Sequence, residues 1–359
     1  MALKVAVVGA GNGGFATSSQ LALQGFEVHL FELPAFAASI EELQKNPVIT
    51  SAGALLTGEG RLAGVHAGAD PVIAECELIL ITAQTPGHVP AAEMIAPYIH
   101  GDQVIVIMPG NCSSILVRQA LDKVGAKGIV GECLTLPYAC RKTDNHSIRI
   151  SRSTGRMGLA TFPSIHTEKA LEVFKKVYPT AFAMDNVLEV ALCNANILLH
   201  PIPTLLSLSR IEFSNGEFYV YNEAYTPSVE KAIAALDKEI ASILRALDFP
   251  APSCKVLFEK RYEGTWDEKR TWFRKIGSKG PFKSTDRYIS EDVPGGVVLV
   301  ASLGKQLGIP TPIADAVIAL TSAINGTDYM ATGRNTQSLG LAGLSRDELK
   351  RTLREGFAA

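Results

Sequence analysis

The sequence predicts an α/β domain with a doubly wound sheet over residues 1–185, followed by an all-α domain over 186–359. Three features of the chain point there. Short runs rich in valine and isoleucine recur through the first half at 5–8 (VAVV), 78–83 (LILITA), 104–108 (VIVIM) and 129–130 (IV). Stretches of helical spacing lie between them, at 14–24 and 112–124. After residue 186 the strand-like runs cease, and 186–200, 228–248, 293–307 and 312–325 carry helical periodicity instead. Parallel strands covered on both faces read as continuous apolar runs, and helices make their crossovers. No repeat or low-complexity linker marks the junction near Asp185.

Bulk properties narrow the functional classes. At about 150 residues per domain, 359 residues suit two. Lysine and arginine total 34 against 36 acidic residues, a net charge of -2, and 47% of the chain is hydrophobic. That composition excludes a disordered chain and argues against nucleic-acid binding through bulk charge. Apolar runs such as 104–108 stop well short of the ~18 residues a membrane span needs. The start, MALKVAVVGAGNGG, reaches glycines too early for a secretory signal, so a cytoplasmic protein with no membrane partner is expected. Six cysteines (Cys76, Cys112, Cys133, Cys140, Cys193, Cys254) form no C-x-x-C pair and read as reduced thiols, with no metal site.

Strand VAVV runs directly into GAGNGG, residues 9–14, with Gly9, Gly11 and Gly14 in G-x-G-x-x-G register and Asn12 and Gly13 between them. The first glycine permits the tight turn, the second lets backbone approach a pyrophosphate, and the third allows close helix–strand packing. The following helix offers N–H groups and its positive dipole end to phosphate. A second strand-like segment, Glu27 to Phe31, ends at Glu32, where a carboxylate can accept from adenosine ribose hydroxyls. Together these describe a Rossmann dinucleotide site. The bland alternative is a glycine turn beside an incidental surface glutamate. Glu32 repels a 2′-phosphate, and no arginine follows before Arg61, so NAD is favoured; an acid there does not by itself bar NADP. Farther on, Pro109-Gly110 follow VIVIM at a strand end where ligands bind in such sheets. Asn111, Cys112, Ser113 and Ser114 then open a helix, either as N-capping residues or as substrate contacts.

The helical half holds one histidine, His200, at the end of an apolar helical stretch. Pro201 disfavours helical geometry at the preceding residue, so a break is expected at His200. A helix C-terminus favours the protonated imidazole, which suits a proton donor. Asn196, four residues earlier, shares its face. The alternative is a satisfied, partly buried histidine. In RYISEDV, residues 287–293, Glu291 and Asp292 precede a glycine pair and an apolar helix. Either carboxylate could orient an imidazole, and Asp292 could equally be a helix N-cap. Residues 255–287 hold ten basic against five acidic residues, with Trp266 and Trp272 interleaved. A solvated helical face, a wall attracting carboxylates, or a nucleic-acid patch would each fit.

GAGNGG, LPYACR (136–141), NANILLHPIPTLL (194–206), RYISEDV and GRNTQSLGL (333–341) together resemble the opine dehydrogenases, which include octopine dehydrogenase. The resemblance spans both halves, and N-x-x-x-H-P with S-E-D-V is far more specific than the glycine motif. It implies an enzyme that condenses an L-amino acid with a 2-oxo acid, typically pyruvate, and reduces the imine with NAD(P)H. It implies His200 and Asp292 as the catalytic dyad, and Thr135 and Cys140 as residues lining the substrate site beside Asn196. The family carries an acid immediately before that threonine. Here Leu134 stands there, with Glu132 two residues earlier, which weighs against a cationic amino donor such as arginine. Arg141 could serve an anionic substrate group or lie on the surface. The apolar helical half leaves room for a homodimer interface. Alternatives are a ketopantoate-reductase-like dehydrogenase of a simple hydroxy or oxo acid, which would rely on a lysine in the helical domain, or a catalytically silent NAD-binding regulator.

Overall fold

Twelve strands form two sheets: β1 (Lys4–Val8), β2 (Glu27–Glu32), β3 (Val48–Gly53), β4 (Gly58–Arg61), β5 (Gly64–Ala67), β6 (Leu78–Ile81), β7 (Val104–Ile107), β8 (Ile129–Cys133), β9 (Tyr138–Lys142), β10 (Ser147–Ser153), β11 (Gly158–Thr161) and β12 (Phe182–Ala183), among the described residues. They belong to a computed structural model that describes residues 3–262, 264–276 and 279–357. The side chains of residues 261, 262, 269, 270, 272, 273 and 276, Trp272 of the basic stretch among them, lie outside the described set.

The larger sheet runs β12-β11-β8-β7-β6-β1-β2-β5. From β5 to β8 every pairing is parallel, and β11 joins β8 antiparallel. Its central part has the doubly wound order in which a dinucleotide crosses the carboxyl ends of the strands. The apolar runs are buried on both faces. Val5, Val7, Leu78, Leu80, Val104 and Val106 enter one core, while Ala6, Val8, Ile79, Ile81, Ile105 and Ile107 enter the other. That alternation is the two-residue period of a strand packed on both sides.

The smaller sheet, ordered β4-β3-β10-β9, is not apparent in the sequence pattern. Its strands include GEGR and SIRISRS, which carry glycine and charge rather than an apolar run. It packs on the helix after β1, α1 (Asn12–Leu23), which also faces β1 and β2. Every residue of α1 from Gly13 to Leu21 is consequently buried.

Two units are defined by internal contacts: residues 1–190 with 352–359, and residues 191–351. The terminal segment, expected with the helical part, belongs to the first unit, where Phe357 packs 5.3 Å from Phe162 between ring centroids. The expected helix over 186–200 is interrupted. It divides into α2 (Val187–Leu192) and α3 (Asn196–Leu199), and α4 (Pro201–Leu205) follows. Asn194 accounts for part of the break, because its Oδ1 accepts from the Asn196 N–H at 3.1 Å and competes with helical pairing. The second unit is otherwise helical where expected. α5 (Pro227–Ala246), begun by Thr226 as its cap, packs with α7 (Val298–Leu307) and α8 (Pro312–Asn325), and α6 (Arg287–Ser290) precedes them. Among the described residues no helix is long and apolar enough to cross a membrane.

Candidate active site

The glycine turn is held by its neighbours before any ligand is considered. Gly9 has φ +104°, in the left-handed region that a side chain disfavours, and a Cβ there would lie 2.8 Å from Ala83 N. Its N–H donates to Phe31 C=O at 2.8 Å, and Thr82 Oγ1 donates to its carbonyl at 2.9 Å. A Cβ on Gly14 would fall 1.7 Å from the Gly9 carbonyl oxygen, so the third glycine lets α1 close on the turn. Gly13 rests on Leu136, whose Cδ1 would be 2.8 Å from an added Cβ. Gly11 differs from all three: a Cβ there meets nothing within 4 Å. Open space at the first turn of a helix fits a dinucleotide pyrophosphate.

Glu32 is buried at the end of β2, which excludes the incidental surface glutamate. Its Oε2 accepts from the Ala10 N–H at 2.7 Å and its Oε1 from the Leu33 N–H at 2.8 Å. An ionised carboxylate has roughly four acceptor positions, so these two bonds leave capacity for ribose hydroxyls.

β9 brings a second group of residues to the same turn. Asn12 Oδ1 accepts from the Lys142 N–H at 2.8 Å, and the Cys140 thiol donates to the Asn12 carbonyl at 3.3 Å. The Asn12 side chain is therefore engaged in anchoring β9. Lys142 Nζ reaches 3.4 Å from the Ala10 carbonyl and 3.6 Å from the Phe15 ring centroid. Burial lowers the Lys142 pKa, and the charges of Glu32 and Asp144 oppose that shift. Strand alternation puts Cys140 and Lys142 on one face and Arg141 on the other, where it is exposed. The pattern pointed to Arg141; that same alternation with Cys140 would have pointed to Lys142. Thr135 is fully buried, and its Oγ1 donates to the Leu136 carbonyl at 3.3 Å.

The loop after β7 is not capped by its own serine or asparagine. Asn111 and Cys112 adopt φ of 53° and 62°, and Cys112 at the N-cap makes no side-chain cap bond. Glu132 of β8, fully buried, supplies the cap. Its carboxylate accepts from the Cys112 N–H (2.7 Å), the Ser114 N–H (2.9 Å) and Ser114 Oγ (2.6 Å). An anion at a helix N-terminus is favourable, but one from a strand is invisible to local sequence rules.

In the second unit His200 sits at the joint between α3 and α4, as Pro201 leads one to expect. Pro203 cannot supply the N–H that would bond Leu199, and Tyr225 Oη donates to that carbonyl instead, at 2.5 Å. His200 Nδ1 lies 2.7 Å from Asp292 Oδ2, with both side chains buried. Asp292 makes no cap bond to its own helix, so of the two candidate carboxylates it is Asp292, not Glu291, that meets the ring. Glu291 instead faces Arg287 at 3.9 Å. Tyr288 stacks on the imidazole with centroids 3.8 Å apart and planes 2° from parallel, a partner that spacing did not single out. Asn196, one turn earlier, contributes the carbonyl that accepts from the His200 N–H at 3.0 Å.

Two backbone features let the pair meet. The chain after Asp292 makes a π turn, Val293–Val297, a distortion found often at functional sites. Within it, a Cβ on Gly296 would lie 2.0 Å from Ile197 Cγ2, so only glycine lets α3 approach this closely.

None of the six cysteines is in a disulfide, and burial pushes the Cys76 and Cys254 thiols up to about 12 and the Cys133 thiol well up. Trp266 packs edge-on against Phe258 at 4.9 Å. Among the described residues no group of three His, Cys, Asp or Glu could hold a metal ion.

Residues 183–325 match the family model described as NAD/NADP octopine/nopaline dehydrogenase, alpha-helical domain. The chain is similar to the opine dehydrogenase of Arthrobacter sp. (strain 1C), 32% identical over 95% of this chain and 96% of that protein. It is 24% identical to the protein ocs of Agrobacterium tumefaciens (strain Ach5), over 98% of this chain and 99% of that one. An octopine dehydrogenase solved with NADH and agmatine superposes with a TM-score of 0.78 at 18% identity, over 99% of each chain.

Proposed function

The chain belongs to the opine dehydrogenase family, and from that premise we propose how its residues divide the reaction. It is an oxidoreductase acting on the CH–NH group with NAD or NADP. An L-amino acid condenses with a 2-oxo acid, and the imine is reduced, reversibly, to a secondary amine. Pyruvate is the oxo acid we assign, since the solved octopine dehydrogenases include a complex with NADH and pyruvate.

When bound, NAD(P)H supplies the hydride for the reduction. The first unit holds it: the glycine turn and the N-terminal turn of α1 take the pyrophosphate, and Glu32 takes the adenosine ribose and favours NAD over NADP. The second unit moves the proton. His200 donates to the carbonyl oxygen, takes a proton back from the nitrogen of the attacking amine, and returns it to the hydroxyl that leaves as water when the imine forms. In reverse it accepts a proton from the product amine. Asp292, at Nδ1, selects the tautomer that carries the exchangeable proton on Nε2 and stabilises charge on the ring. Tyr288 fixes the plane of the imidazole. Asn196, Thr135 and Cys140 remain candidate substrate contacts, Cys140 with a thiol already at the glycine turn. The observation that carries this reading is the 2.7 Å contact between His200 and Asp292, two buried residues 92 positions apart. The partners proposed are small molecules only, in a cytoplasmic enzyme that forms a homodimer; the net charge of -2 supports the absence of nucleic acid.

The test is NADH oxidation with pyruvate, alone and with each of a panel of amino acids. Turnover that requires both co-substrates is expected. Turnover with the oxo acid alone would favour the simple hydroxy-acid dehydrogenase, and NADH binding without any turnover would favour the silent regulator.

A further inference from the structure

We infer that Lys142 is a phosphate-binding residue of the cofactor site, delivered to the glycine turn by the small second sheet. The inference rests on the cofactor reading above and adds a residue that lies outside the glycine motif. Two positive features converge on Ala10 and Gly11. One is the N-terminus of α1, a helix of 12 residues, and the other is the Lys142 ammonium. An ammonium beside the positive end of a helix is unfavourable unless an anion joins them. Among the described residues no carboxylate comes within ion-pairing distance of Nζ. Glu32, the nearby acid, acts on the ammonium only from beyond that distance, each of its oxygens accepting from one backbone N–H.

The existing contacts of the ammonium are weak for a charged donor. Its distance of 3.4 Å to the Ala10 carbonyl exceeds the roughly 2.7–2.9 Å of a good charge-assisted bond. The Phe15 face, at 3.6 Å, supplies the other. Nor is the ammonium needed to dock β9, which the Lys142 N–H and the Cys140 thiol already secure through Asn12. Burial lowers the lysine pKa even against the charges of Glu32 and Asp144, a sign of lost solvation that a phosphate would offset. The open space at Gly11 lies on this same turn.

The chemistry is that of a cofactor phosphate, either the pyrophosphate common to NAD and NADP or the 2′-phosphate of NADP. Dissociation constants for NADH, NADPH, ADP and adenosine, measured by calorimetry on the whole chain, separate these. Lys142→Met, which keeps the stem and removes the charge, is expected to weaken ADP and NADH about tenfold and leave adenosine unchanged. Lys142→Arg should restore most of the loss, and added salt should narrow the gap between wild type and Lys142→Met. A loss confined to NADPH would still uphold the inference, with the 2′-phosphate as the partner. Unchanged affinity for all four ligands would overturn it. So would an equal loss for adenosine and ADP with a lowered melting temperature, since that marks a structural lysine. A wild-type protein that binds neither NADH, NADPH nor ADP would overturn the cofactor reading itself, an outcome distinct from a failure of Lys142 alone.

Discussion

The cradle in the first unit is made of backbone contiguous in sequence, Gly9 to Gly14, and its working surface is the absence of side chains. The histidine–aspartate pair in the second unit is made of two side chains 92 positions apart, buried and held by stacking and by a joint between short helices. One region depends on where Cβ atoms are missing, the other on where functional atoms are brought. They meet the same physical demand, a group held still before the substrate arrives, by opposite means. The difference teaches where each can fail: the cradle by gaining an atom, the pair by losing one.

Removing His200, the proposed proton donor, should separate the two regions most completely. His200→Gln is expected to lower kcat by about 10²–10⁴-fold while NADH affinity stays at its wild-type value. Stopped-flow turnover with calorimetric NADH binding reads both, and a wild-type rate would remove His200 from the chemistry. Next is Gly296→Ala, a test of whether the pair also depends on a missing Cβ. The added methyl would overlap Ile197 Cγ2 at 2.0 Å and push α3 away from Asp292. We expect kcat to fall by up to about 10²-fold, since misplacement of about an ångström has that effect. Ile197→Ala in the same chain should recover part of it; a double variant no better than the single one would show that the strain lies elsewhere.

Gly14→Ala challenges the cradle in the same way. Overlap with the Gly9 carbonyl oxygen at 1.7 Å should cost about 1–3 kcal/mol, seen as roughly 10–100-fold weaker NADH binding. Glu32→Ala is milder. It should weaken NADH about tenfold and NADPH less, and equal affinities before and after would discard its ribose role.

The smallest effect is a pH dependence. Burial lowers the Lys142 pKa in the free protein, against the charges of Glu32 and Asp144, and the phosphate contact proposed for Lys142 needs its protonated form. NADH affinity should therefore be full below that lowered pKa and decline as pH rises through it. Titration of NADH binding with Lys142→Met should lack this alkaline decline.

Much of the large sheet was legible because its central strands are near-continuous apolar runs, VAVV, LILI and VIVI, as strands buried on both faces require. The small sheet was not. GEGR and SIRISRS gain their stability by packing on α1 and by pairing with β3 between them, a non-local reward with no local pattern. Its concealment also hid Lys142, which only the placement of β9 brings to the glycine turn. The stretch 186–200 showed helical spacing throughout, yet Asn194, Pro201 and Pro203 divide it. The cap of the helix after Cys112 lay equally beyond local pattern, since the carboxylate that serves it comes from β8.

By itself the sequence determined the glycine turn, the break at Pro201 and the chemical types available at each. Those follow from φ/ψ sterics and from missing N–H groups, which act within a few residues. Only the tertiary structure decided that Asp292 rather than Glu291 meets His200, that Tyr288 stacks on it, and that Lys142 reaches Ala10. Such meetings are set by how closely whole elements can approach, and a single absent methyl at Gly296 is enough to permit one of them.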